Sequence, residues 1–143
     1  MRLMTPISTV ESGTTLRNRL NRSIVLAIRT LMQQPSPNKL SLDLAAFVVL
    51  ALEKIQESIE TSAIAWEKRD YWLKADHFRM EWQWVGEAHK SLTQHLLQEN
   101  WSLLVADLTS VAQNLSKVEI RPNNRIGEPW LGAWQVFKKQ FNK

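Results

Sequence analysis

The sequence predicts an all-α protein: an elongated antiparallel helical bundle with one long central helix and a short C-terminal aromatic helix. Three observations lead there. Four glycines and five prolines are spread over 143 residues, most of them outside residues 41–116, so the middle of the chain has almost no backbone breakers. Apolar residues recur at steps of three and four, the spacing of one helical face. The length suits a single domain with one core, assigned here to residues 14–143 behind a flexible leader at 1–13.

The first helix is predicted over residues 15–34, where Leu16, Leu20, Ile24, Ala27, Ile28 and Leu31 share one face. Its opposite side carries Asn18, Arg19, Arg22, Arg29 and Gln33, and Arg17, Arg19, Arg22 and Arg29 are the candidate contacts for an anion. The tract PSPNK at 35–39 ends this helix, because proline removes an amide donor and disfavours helical geometry before it. Ser41 is the expected N-cap of the next helix, with Leu40 in the staple position and Asp43 placed against the positive helix end.

From Val48 the seam runs through Leu52, Ile55, Ile59, Ala63, Trp66, Asp70, Leu73, His77, Met80 and Trp84 without proline or glycine. One helix from Ser41 to about Val85 follows, roughly 65 Å long at 1.5 Å per residue. Gly86 marks a turn, with Gln98–Trp101 as the alternative place for it, and residues 87–117 run back as a further helix. Residues 118–128 read as an irregular connection. Pro129 then suits the first turn of a last helix, whose Trp130, Trp134, Phe137 and Phe141 form an aromatic stripe.

Charge is uneven along the chain. Residues 1–40 carry six basic side chains and one acidic, residues 41–116 six and eleven, residues 117–143 six and two. Basic ends folding back on an acidic middle would account for this, and an anionic partner steered to the ends is the alternative. Cysteine is absent, which excludes disulfides, thiolate metal sites and a cysteine nucleophile. The N-terminus lacks the apolar run of a signal peptide, and the most apolar window, residues 44–52, is far below the roughly 20 residues of a membrane span. A cytoplasmic protein is the expectation.

The densest information lies in AWEKRDYWLKADHFRMEWQW, residues 65–84, which holds four of the seven tryptophans. On a helical wheel it resolves into two apolar stripes about 140° apart. Trp66, Leu73, Met80 and Trp84 continue the core seam; Tyr71, Ala75, Phe78 and Trp82 form a second stripe with no upstream continuation. Between them lies one polar wedge of Asp70, Lys74, His77 and Glu81 with i, i+4 pairs, a candidate polar cluster that is either a solvated surface or, if turned inward, a functional site. The other gap carries Arg69, Trp72, Asp76 and Arg79, the candidate partner-binding set, because tryptophan and arginine dominate interface hot spots.

No catalytic residue, metal site or cofactor is predicted. None of His77, His89 and His95 follows an acidic residue by three positions, so the di-iron pattern is missing, as are the metalloprotease, P-loop and dinucleotide motifs. The expected function is therefore a non-enzymatic protein-protein interaction module, an adaptor or assembly factor whose partner is another protein or, in a homo-oligomer, a second copy. Binding of nucleic acid or a membrane surface by the basic first helix is the alternative. The same 65–84 segment, about a seventh of the chain, resembles small helical proteins of unknown function from cyanobacteria and plastids. The resemblance implies a soluble cytoplasmic or stromal protein and carries no reaction or ligand with it.

Overall fold

A computed structural model describes residues 11–142, and every structural statement below concerns them. Six α-helices and no strand make up these residues: α1 Gly13–Met32, α2 Lys39–Glu67, α3 Trp72–Glu81, α4 Gln83–Leu97, α5 Trp101–Asn114 and α6 Ala133–Phe141. The predicted leader lies for the most part outside the described residues. No helix is long and apolar enough to cross a membrane.

α1 begins where Ser12 Oγ accepts the Thr15 amide at 3.1 Å, supplying one of the acceptors a helix start lacks. It buries Leu20, Ile24, Ala27, Ile28 and Leu31, the predicted face. The next helix starts earlier than expected. Asn38, not Ser41, is its N-cap: Asn38 Oδ1 accepts the Ser41 amide at 2.8 Å while Ser41 Oγ accepts the Asn38 amide at 3.1 Å, a reciprocal capping box.

α2 is the centre of the molecule and packs against α1, α3, α4 and α6. Surrounded on several sides, it buries Leu44, Val48, Val49, Leu52, Ile55 and Ile59, with Ala45, Ala46, Ala51 and Ala63 allowing close approach of its neighbours. Each fully buried leucine or isoleucine there contributes about 1.5–3 kcal/mol.

The continuous helix to Val85 does not form. α2 stops at Glu67, and the chain reverses through a Schellman turn: the Tyr71 amide donates to the Trp66 carbonyl at 2.9 Å and the Asp70 amide to the Glu67 carbonyl at 3.0 Å. Asp70 occupies the left-handed position at φ 64°, which aspartate tolerates better than most residues. α3 and α4, joined at Trp82, then run back along α2, as the pairs Arg79 with Glu67 and Glu60, Gly86 with Gln56, and His89 with Glu53 show. Gly86 is thus no turn but an interior residue of α4, where a Cβ would sit 2.8 Å from Gln56 Nε2.

The turn out of α4 falls at Gln98–Asn100, the alternative position, and repeats the device with Glu99 at φ 50°. There the Asn100 amide donates to the His95 carbonyl and the Glu99 amide to the Leu96 carbonyl, both at 3.0 Å. α5 returns along α4, fastened by Asp107, whose carboxylate accepts Ser91 Oγ at 2.9 Å and contacts His95 Nδ1 at 2.5 Å. α6 starts at Ala133, after a turn containing Pro129, and packs on the N-terminal half of α2 through Trp130, which meets Phe47 edge-on at 6.4 Å.

Candidate functional site

Breaking the helix at Asp70 resets the register, and within α3 the two predicted stripes exchange roles, while Trp84 packs on the core as expected and Tyr71 of the second stripe is exposed. Ala75 is fully buried and Phe78 and Trp82 pack against the core. Leu73 and Met80, expected in the core seam, are instead 70% and 69% exposed. The covered stripe is closed by the same chain: Trp66 meets Phe78 edge-on at 4.8 Å, Phe78 meets Trp82 at 6.4 Å, and Trp82 stacks on Trp84 at 6.4 Å. The C-terminal aromatic helix lies elsewhere, on α2.

What faces water at this end of the molecule is the hairpin tip. The Schellman turn delivers Tyr71, Trp72 and Leu73 in succession to the surface, each more than half exposed. Beside them opens a groove of about 630 Å³ with Trp66 and Phe78 on its inner wall. The four members of the predicted polar wedge, Asp70, Lys74, His77 and Glu81, all line it and all are exposed, so the solvated alternative holds. Lys74 Nζ lies 4.5 Å from the Trp66 ring centre, a cation–π contact that holds the lysine against the aromatic wall.

The predicted partner-binding set divides. Trp72 borders the groove, and Arg69 and Asp76 are exposed near it. Arg79 is not free: it donates to Glu67 at 2.6 and 3.1 Å and to Glu60 at 2.8 Å, with Asp76 at 3.9 Å. That guanidinium's hydrogen bonds lower the Glu67 pKa, and donating to Glu67 and Glu60 raises that of Arg79. Arg79 is therefore the clasp of the α2–α3 hairpin and presents no open fork to a partner.

The predicted anion contacts divide as well. Arg17 is buried, its guanidinium 4.9 Å from the Phe78 ring centre and hydrogen-bonded to Ser58 Oγ at 3.2 Å. Arg19 holds Glu11 in a two-pronged pair at 2.8 and 2.9 Å, while Arg22 and Arg29 are exposed. Among the described residues, no cation of the basic ends forms a direct ion pair with the acidic middle; Arg17 meets it through aromatic faces, with the charge of Glu81 acting at longer range.

Among the described residues, Ser91, Asp107 and His95 form an arrangement that looks like nucleophile chemistry. In it the carboxylate is the hub and touches both others, whereas activation of a serine needs the imidazole between serine and acid. Its work is to join α4 to α5. Among the described residues, no group of three or more histidine, aspartate or glutamate side chains is placed to hold a metal ion.

Sequence reasoning passed over Tyr71, Leu73 and Met80 as surface residues because it assigned them to stripes of an unbroken helix. The cue was present: Asp70 and His77 sat in the supposed core seam. Compared with known proteins, the chain matches no protein-family model, no curated protein and no solved structure.

Proposed function

We propose that this protein is a non-enzymatic interaction module, an adaptor or assembly factor of the cytoplasm, that docks another protein at the α2–α3 tip. The observation that carries the reading is the run Tyr71, Trp72 and Leu73, exposed at 53%, 58% and 70% beside an open groove. Three consecutive large apolar residues turned to water cost solvation in the free protein, and contiguous apolar surface of this kind marks contact sites. The occupant is a partner segment with an apolar anchor and a flanking cation. The anchor fits the Trp66–Phe78 wall, and Asp70 and Glu81 offer carboxylates to the cation. The resemblance of residues 65–84 to cyanobacterial and plastid proteins would place this work in a cyanobacterial cytoplasm or a plastid stroma.

The test is affinity capture at low and high salt with the wild type and a Trp72→Ala/Leu73→Ser variant. Truncating a hot-spot anchor costs about 2 kcal/mol or more, roughly 30-fold in affinity. A discrete protein retained at high salt by the wild type and lost from the variant is the expected result. Equal retention by both would place the contact somewhere other than the tip. A second copy of the chain as the captured species, seen as a dimer that the variant loses, would replace the heterologous partner by self-association.

A further inference from the structure

Independently of the tip, the fold builds a second, basic site. Arg19 and Arg22, one turn apart on α1, and Arg121 and Arg125, in the connection about a hundred residues later, line a single depression of about 740 Å³. We propose that this basin binds a compact soluble polyphosphate, an anion bearing two or more linked phosphate groups.

The connection is shaped before any ligand arrives. Asn124 donates its amide and its Nδ2 to the Arg121 carbonyl at 3.1 and 2.8 Å, and its Oδ1 accepts the Ile126 amide at 3.0 Å. Val118 and Ile120 pack against the core and anchor the approach to that turn. The arginines at 121 and 125 thus flank a fixed turn rather than a floating loop.

The electrostatics call for an anion. Among the described residues, Arg22, Arg121 and Arg125 have no carboxylate within ion-pair distance; Glu119 lines the basin, and Glu11 occupies Arg19. Protein surfaces ordinarily intersperse signs, and gathering guanidinium groups from distant segments costs repulsion that a bound polyanion relieves. Guanidinium forks match pairs of phosphate oxygens, and a linked di- or triphosphate carries enough charge to engage three of them. A volume of about 740 Å³ lies within the range of small-molecule sites.

Nucleic acid is the weaker occupant. No aromatic side chain lines the basin, so bases would have no stacking platform there. Ile126 is the single apolar wall.

The experiment is calorimetric titration of the full chain with inorganic tripolyphosphate at about 50 and about 200 mM salt. Orthophosphate, a single-stranded oligonucleotide and vesicles with bis-phosphorylated headgroups form the other arms. Variants Arg22→Gln, Arg121→Gln and Arg125→Gln probe the basin, and Arg29→Gln removes the same charge from α1 outside it. The expected result is saturable one-to-one binding of tripolyphosphate, at least tenfold tighter than orthophosphate, weakened tenfold or more by each basin variant and unchanged by Arg29→Gln. Equal weakening by Arg29→Gln would reduce the effect to net charge and overturn the site. So would tighter binding of the oligonucleotide, vesicle binding without tripolyphosphate binding, or no saturation at all.

Discussion

The guanidinium of Arg17 lies 4.9 Å from the Phe78 ring centre and 6.0 Å from that of Trp82, with Ser58 Oγ and Thr14 Oγ1 as its hydrogen-bond acceptors. Burial lowers its pKa, and the nearby charge of Glu81 partly offsets that. Aromatic faces thus replace most of the water the cation has lost, and one side chain ties α1 to α2 and α3 together. Lysine, a compact and strongly hydrated charge, reproduces neither the planar stacking nor the fork. Arg17→Ala should therefore cost about 2–3 kcal/mol, and Arg17→Lys more than half of that, in urea denaturation. A cost under about 0.5 kcal/mol for both would mean that the cation–aromatic contact contributes little beyond a surface residue.

At the scale of elements, the α2–α3 hairpin depends on its turn and on its clasp, and only part of this was legible in the sequence. Helix identity was plain, because apolar spacing reports which residues face a neighbour. The reversal at Asp70 was not, because the left-handed position of a Schellman turn usually announces itself with glycine, and here aspartate fills it and glutamate fills its counterpart at Glu99. Conversely Gly86 suggested a turn, yet it serves close approach of Gln56 inside α4. At the site the polar wedge was legible as one cluster, since Lys74, His77 and Glu81 share α3 and Asp70 stands in the turn just before it, but Arg79 was misplaced because its acids Glu60 and Glu67 lie across the reversal on α2. The clasp has a pH signature. Arg79 depresses the folded-state pKa of Glu67 below its unfolded value, so the stabilisation is present above that unfolded value, about 4.3, and fades as pH falls through the folded one. Glu67→Gln should be less stable than the wild type at pH 7, and the gap should close as both are titrated through acid. A gap that stays constant from neutral pH to about pH 2.5 would show that the carboxylate charge is not what holds the hairpin.

For the molecule as a whole, α6 packs back on α2, and one carboxylate of α2 caps it. Asp43 was expected to meet the positive end of its own helix; instead its two oxygens accept the amides of Gly132 at 3.3 Å and Trp134 at 3.0 Å. Gly132, at φ 83°, has no side chain to cap α6, so Asp43 supplies the cap from a position 89 residues away. At nine residues α6 is too short to be helical alone, and its order comes from Phe137 and Trp130 buried against the rest of the molecule together with this borrowed cap. Asp43→Ala should cost about 1–2 kcal/mol and fall locally, raising amide exchange across residues 133–141 while leaving that of the α2–α3 hairpin unchanged. Asp43→Asn, which keeps an acceptor but loses the charge, should lie between the two. If exchange rises equally in α3 and α6, Asp43 stabilises α2 as a whole; if it rises in neither, the aromatic packing alone holds α6. Confinement of the effect to α6 would mean that this end of the bundle opens without disturbing the tip or the basin, and that the three regions respond to substitution independently.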